Sequence, residues 1–79
     1  MADSLPATLP KVYWLSEVPA GCQLSGKPFN GVMYDANLPG IGWGLWCYEA
    51  FEYHGGKLGT GFGQKYRRQD DGRWLKVAG

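Results

Sequence analysis

Two cysteines stand 25 residues apart in this chain, and each lies in one half of a metal-binding motif. Cys22 opens the turn sequence Cys-Gln-Leu-Ser-Gly-Lys-Pro, in which Ser25 occupies the position where a second cysteine would complete a ligand pair. Cys47 opens a segment with helical periodicity, and Ala50 stands at the equivalent position there. Structural zinc needs four nitrogen or sulfur ligands, whereas this chain retains two thiols and His54. The sequence therefore predicts a metal-binding scaffold that has lost half of its ligands.

The state of the two cysteines matters because the chain is short. A chain of 79 residues buries only roughly 60–65% of its unfolded surface, so its core alone gives marginal stability. Thiolates around one metal lie about 4 Å apart, which also brings their Cα atoms near disulfide range. Three states stay open: two buried thiols, a Cys22–Cys47 disulfide, or a zinc site formed by Cys22, Cys47 and His54. Zinc is the one cofactor that these residues suggest.

The pattern of β-formers, turn residues and glycines predicts a single small α+β domain over residues 1–79. Residues 1–10 are expected to be loosely ordered, and residues 11–15 to form a short strand or an extended arm. The expected elements are a knuckle-like turn at 22–28, a β-hairpin over 29–46 with a long loop, a short helix over 47–53 and a C-terminal β-hairpin. Residues 22–54 thus make up the degenerate zinc-finger unit, and residues 57–79 a basic, glycine-rich loop and hairpin.

Basic side chains concentrate in the last third of the chain. Six basic and two acidic side chains give residues 57–79 a net charge of +4, whereas residues 1–56 carry −3. This asymmetry favours an anionic partner for the C-terminal third. Strand alternation places Lys65 and Arg67 on one face and Tyr66 and Arg68 on the other. The candidate binding residues are Lys65, Tyr66, Arg67, Arg68, Arg73 and Trp74.

The sequence argues against an enzyme. Cys47 and His54 are the cysteine–histidine pair at helical spacing, but seven residues of helix separate them by about 10 Å, too far for a hydrogen bond. Glu49 and Glu52 are expected on an exposed helix face near its positive end. No stretch approaches the roughly 20 apolar residues of a membrane span, and the N-terminus lacks the pattern of a secretory signal. We therefore expect a cytoplasmic, non-catalytic protein without a membrane partner.

The order of knuckle, hairpin and short helix resembles a treble-clef zinc finger. More narrowly, residues 22–79 resemble a group of small phage and prophage proteins with zinc-finger-like sequences. The resemblance rests on segments such as Gly26-Lys27-Pro28, Leu58–Tyr66 and Asp71–Val77. It implies a fold and a viral setting but no activity, and it departs from the intact Cys-x-x-Cys pairs of that group at Ser25 and Ala50.

These observations predict a binding module. A short, charge-balanced, non-catalytic chain that resembles phage proteins fits an accessory or inhibitor protein that occupies a host protein or ribonucleoprotein, as anti-CRISPR and other antidefence proteins do. The alternative is direct nucleic-acid binding through the basic C-terminal third. Twelve aromatic residues are hard to bury in so small a domain, so exposed rings near Trp43 or Phe62 would mark a docking or homodimer surface.

Overall fold

A computed structural model describes residues 10–79. Its elements, in chain order, are β1 (Val32–Leu38), β2 (Gly42–Trp46), α1 (Tyr48–Tyr53), β3 (Gly63–Arg68) and β4 (Trp74–Ala78). The four strands form one antiparallel sheet in the order β2-β1-β3-β4, so the predicted α+β class is confirmed. Residues 1–9 of the loosely ordered leader predicted for residues 1–10 lie outside the described part of the chain. Within residues 10–79 no helix is long and apolar enough to cross a membrane.

The first hairpin is tighter than its breaker residues suggest. The sequence predicts a long loop that includes Leu38, but β1 continues through Leu38, which pairs with Gly42, and three residues make the connection. The reason is burial. Leu38 continues the alternation of Tyr34 and Ala36 on one face of β1 and is completely buried. Burial of this apolar face therefore extends the strand through Leu38.

Helix α1 begins one residue later than predicted, because Cys47 is its N-cap rather than its first helical residue. The helix packs on β1 and β2, where the ring of Phe51 stacks on that of Tyr34 with centroids 4.1 Å apart. Gly55 ends the helix with a φ of 74°, as its position in the sequence predicts. We call this face of the sheet, to which Tyr34 points, the helix side.

The segment before β1 covers the opposite face, which we call the arm side. Trp14 packs edge-on against Tyr66, and Phe29 packs edge-on against Trp74. Backbone hydrogen bonds from Trp14 to Trp74 and from Lys76 to Val12 place the arm along the outer edge of β4. The predicted extended arm is therefore confirmed, and it protects a sheet edge that would otherwise offer free backbone groups.

The other sheet edge belongs to β2, and the knuckle turn occupies it. The backbone amide of Gln23 donates to the carbonyl of Leu45 at 3.1 Å, and the side-chain oxygen of Gln23 accepts from the amide of Leu45 at 2.8 Å. These bonds fix the turn that contains Cys22 beside the strand that leads into Cys47. The sheet thus positions both cysteines at one corner of the domain.

Candidate binding surface and cysteine pair

Cys47 is held at the start of helix α1. Its sulfur accepts a hydrogen bond from the backbone amide of Ala50 at 3.5 Å, which satisfies one of the amide groups that a helix leaves unpaired at its N-terminus. The side chain is 5% exposed. The sulfur therefore has a fixed position that follows from the helix backbone.

Cys22 sits in a closed turn. Its amide donates to the carbonyl of Lys27, and its carbonyl accepts from the amide of Gly26, both at 2.8 Å. Gly26 has a φ of 76°, a conformation that glycine adopts without strain. Burial of the Cys22 thiol opposes its ionisation, but hydrogen bonds from the Ser25 side chain and from the backbone of Cys47, Ser25 and Leu24 outweigh it and lower the pKa from 9.0 to about 7.

Ser25 connects the two cysteines. It belongs to the turn that the bond from the Gly26 amide to the Cys22 carbonyl closes, and its oxygen lies 3.8 Å from the sulfur of Cys47. Both cysteines are free and buried, Cys22 with 3% of its surface exposed. The two half-motifs that stand 25 residues apart in the sequence therefore meet around one hydroxyl group.

His54 does not complete a metal site with them. Within residues 10–79 no group of three or more histidine, cysteine, aspartate or glutamate side chains is placed to hold a metal ion. His54 ends helix α1, and its ring packs edge-on against Tyr53 at 4.9 Å between centroids. The structure therefore does not gather the predicted set of Cys22, Cys47 and His54 into a metal-binding group.

The register of the sheet divides the six predicted binding residues. Residues that pair directly point to the same face, so the pairs Tyr34–Lys65 and Val32–Arg67 place both cations on the helix side. The Nζ atom of Lys65 lies 5.9 Å from the centroid of the Tyr34 ring. The predicted division of the strand into two faces is thus confirmed.

The other half of the predicted set faces the arm. Tyr66 pairs with Met33, is 6% exposed and belongs to the core, so its ring is not available to a partner. Arg68 pairs with Trp74 on the same face, where Trp74 is half-buried against Phe29. Sequence alternation indicates the two faces but does not reveal that the arm covers one of them.

Two residues that the sequence did not single out join Lys65 and Arg67 on the helix side. Leu75 pairs with Arg67, and Tyr13 of the arm bridges to Leu75. The guanidinium of Arg73 lies 4.0 Å from the centroid of the Tyr13 ring, a cation–π contact. We call the group of Tyr13, Lys65, Arg67, Arg73 and Leu75 the open sheet surface, because helix α1 contacts β1 and β2 but neither β3 nor β4.

The electrostatics of this surface favour an anion. Within residues 10–79 the ion pairs are Lys27 with Glu49 and Arg73 with Asp71, so no acidic side chain of this part of the chain pairs with Lys65 or Arg67. Hydrogen bonds from the backbone and side chain of Arg73 lower the pKa of Asp71. The Asp71 carboxylate holds the Arg73 side chain in place through one nitrogen, Nε, at 2.8 Å.

A separate apolar region lies at the far end of the first hairpin. Trp43 is 57% exposed, and Ile41 and Phe62 are also exposed there. Ile41 and Phe62 line a groove of about 500 Å³ together with Lys57.

Comparison of the chain with protein-family models, with curated proteins and with solved structures gave no match.

Proposed function

We propose that this protein is a non-catalytic binding module of the phage accessory or inhibitor type, active in the cytoplasm of a host cell. Its scaffold is a treble-clef-like unit in which the hydroxyl of Ser25 and the methyl group of Ala50 replace two zinc ligands. The position of Ser25 between the two cysteines supports this interpretation. So does the one-turn separation of Ala50 from Cys47 at the start of the helix.

The observation that carries the binding proposal is the half of the sheet that the helix leaves uncovered. Helix α1 is six residues long and reaches across β1 and β2 alone. The helix side of β3 therefore presents Lys65 and Arg67 to solvent, next to half-buried Leu75 of β4. A central apolar residue with basic and aromatic residues around it is the composition of a protein interface with an acidic partner.

The partner is a host protein or ribonucleoprotein with an exposed acidic or phosphate-rich surface. Lys65 and Arg67 stand on β3, where the sheet holds their backbone positions fixed, and Arg73 directly precedes β4. Arg73 is further oriented by Tyr13 and Asp71. Prior ordering of these side chains reduces the entropy lost on binding.

A non-catalytic role agrees with the chemistry of the cysteine corner. Within residues 10–79, the hydrogen bonds of the Cys47 sulfur join it to Ser25 and Ala50 and not to His54. A thiol nucleophile needs a base within hydrogen-bond reach, and this cysteine is arranged as a helix cap.

The test is inhibition of host defence by the expressed chain. Bacteria that carry an active CRISPR system are infected with a phage that the system targets, with and without this protein. We expect the wild-type chain to raise the plaquing efficiency of the phage. The gain from the Lys65→Glu/Arg67→Glu variant should be at least about tenfold smaller, because the variant repels the acidic partner. Arg68→Glu on the arm side is the matched control and keeps the gain.

Two results would contradict the proposal. One is the absence of any gain in plaquing from the wild-type chain across a panel of defence systems. The other is an equal gain from the Lys65→Glu/Arg67→Glu variant with a normal unfolding transition, which would remove the open sheet surface from the function.

Direct nucleic-acid binding by the same surface is the second candidate. The contact of Arg73 with Tyr13, beside Lys65 and Arg67, favours it, because cations interleaved with aromatic rings suit a single strand. Fluorescence anisotropy of a labelled single-stranded oligonucleotide across a salt series separates the candidates. Three phosphate contacts predict a slope of about −2 in log K against log[salt]. Failure to bind the oligonucleotide at low salt rules out this second candidate.

A further inference from the structure

The meeting of two thiols around one hydroxyl group defines a modification site. We propose that Cys22 and Cys47 form an intramolecular disulfide when the protein meets a peroxide, and that this bond fastens the knuckle turn to the start of helix α1. The inference is independent of the binding proposal, because the cysteines lie on the β2 side of the sheet and the open sheet surface lies on β3 and β4.

Backbone contacts place the two residues beside each other. The amide of Gln23, next to Cys22, donates to the carbonyl of Leu45, two residues before Cys47, at 3.1 Å. Both cysteine side chains belong to the same buried core cluster. A disulfide requires Cα atoms about 4.4–6.8 Å apart, and the pairing of the knuckle turn with the end of β2 brings the two backbones together at that corner.

The Cys47 sulfur also faces the turn that holds Cys22. The oxygen of Ser25, three residues after Cys22 in that turn, lies 3.8 Å from the Cys47 sulfur. The elements that carry the two cysteines are fixed on both sides, by the turn bonds of Cys22 to Lys27 and by the helix cap of Cys47. Few conformations are lost when the bond forms.

A small oxidant reaches Cys47 through a surface groove. The groove has a volume of about 380 Å³, and its lining includes Ser25, Cys47 and His54. Cys47 lines it although its side chain is almost completely buried. Hydrogen peroxide is little larger than water and fits such an approach, whereas a large disulfide reagent does not.

The reaction takes place in two balanced steps. The thiolate of Cys47, which lines the groove, attacks one peroxide oxygen, and the O–O bond breaks to leave a sulfenic acid and, with a proton, water. The thiol of Cys22 then attacks the sulfenic sulfur, the S–S bond forms, and hydroxide leaves with a proton as a second water. The two sulfurs lose two electrons, and the peroxide gains them.

The experiment treats the reduced, full-length protein with a small excess of hydrogen peroxide, then unfolds and alkylates it. We expect an intact mass lower by two hydrogen atoms, no alkylation, and a cross-linked peptide that joins Cys22 to Cys47. The oxidised protein should also melt about 10 °C higher, because the bond constrains the unfolded chain.

The single variants Cys22→Ser and Cys47→Ser provide the controls. Each should gain oxygen atoms or a dimedone adduct instead of losing two hydrogens, and neither should gain thermal stability. The inference is overturned if both wild-type cysteines remain open to alkylation after peroxide, if the disulfides link separate chains, or if both sulfurs proceed to sulfinic acids.

Discussion

The hydroxyl oxygen of Ser25 lies 3.8 Å from the sulfur of Cys47, a residue 22 positions further along the chain. A serine in a turn and a cysteine at a helix N-cap are brought into contact because the knuckle turn pairs with the edge of β2. In a complete zinc finger of the treble-clef type, Ser25 would be the second ligand. Because Ser25 lies beside Cys47, cysteine substitutions can test whether the chain has lost a metal site.

The double variant Ser25→Cys/Ala50→Cys should bind zinc. It restores a cysteine in each half-motif, in the turn beside Cys47 and one helical turn after Cys47. We expect one Zn²⁺ per chain with a binding free energy of about 10 kcal/mol, which corresponds to a Kd on the order of 10⁻⁷ M. Native mass spectrometry and competition with a chromophoric chelator measure both quantities.

The same double variant with Cys22→Ser added is its control and should bind zinc at least about a hundredfold more weakly, because a strong ligand is missing. If the four-cysteine variant folds but takes up no metal, the treble-clef interpretation of the scaffold is wrong.

The stability of the reduced protein should rise with pH between about 7 and 9. The pKa of Cys22 is about 7 in the folded chain and 9.0 for an ordinary thiol, so the folded state favours the thiolate. A group whose pKa is lowered by folding stabilises the folded state in full at a pH above its unfolded pKa. This contribution disappears as the pH falls through its folded pKa. The contribution of Cys22 to the free energy of unfolding is about 2–3 kcal/mol at most. Urea unfolding in reductant at several pH values measures it.

Cys22→Ala should show a smaller rise over the same pH window, since it lacks the titrating group. If the free energy of unfolding changes with pH equally in the wild type and in Cys22→Ala, folding does not lower the pKa of the Cys22 thiol.

Trp14→Ala should destabilise the domain by about 2 kcal/mol. Trp14 packs edge-on against Tyr66, and its backbone belongs to the arm that pairs with β4, so truncation removes apolar contacts from the arm side. Its neighbour Leu15 is 95% exposed, and Leu15→Ala should change the free energy of unfolding by less than about 0.5 kcal/mol. Equal effects of the two substitutions in chemical denaturation would show that the arm does not pack on the sheet.

Gly63→Ala should cost about 1–3 kcal/mol of stability. A Cβ atom at this position would lie 2.7 Å from both the Cβ of Ala36 and the carbonyl oxygen of Lys57, and neither neighbour can move freely. Thr60→Ala, an exposed change in the same loop, is the control and should be nearly neutral. Thermal unfolding compares the two, and a neutral Gly63→Ala would mean that the loop is free to shift away from β1.

Local sequence patterns predicted most of the secondary structure correctly. Helix α1, both hairpins and the extended arm follow from alternation, helical periodicity and glycine positions, because these depend on neighbours in the chain. The strand pattern also predicted that Lys65 and Arg67 would share a face. The length of β1 was wrong because burial of Leu38 extended the strand past the expected turn.

The candidate site needed the tertiary structure. The sequence grouped Tyr66 with the basic residues, but the arm buries it, and no local pattern predicts where the five-residue arm will lie. The same arm brings Tyr13 beneath Arg73, a contact between residues 60 positions apart. Likewise, the contact of Ser25 with Cys47 joins two segments that lie 22 positions apart, which no local pattern predicts.

The sequence by itself therefore determined the elements, their order and the chemistry available at each position, since these follow from backbone preferences and side-chain type. The tertiary structure alone decided which half of the sheet stays uncovered and which residues meet at the cysteine corner. Both depend on pairings between distant segments: the arm with β4 and the knuckle turn with β2. Such pairings are selected by the total burial of the folded domain, in which every segment takes part.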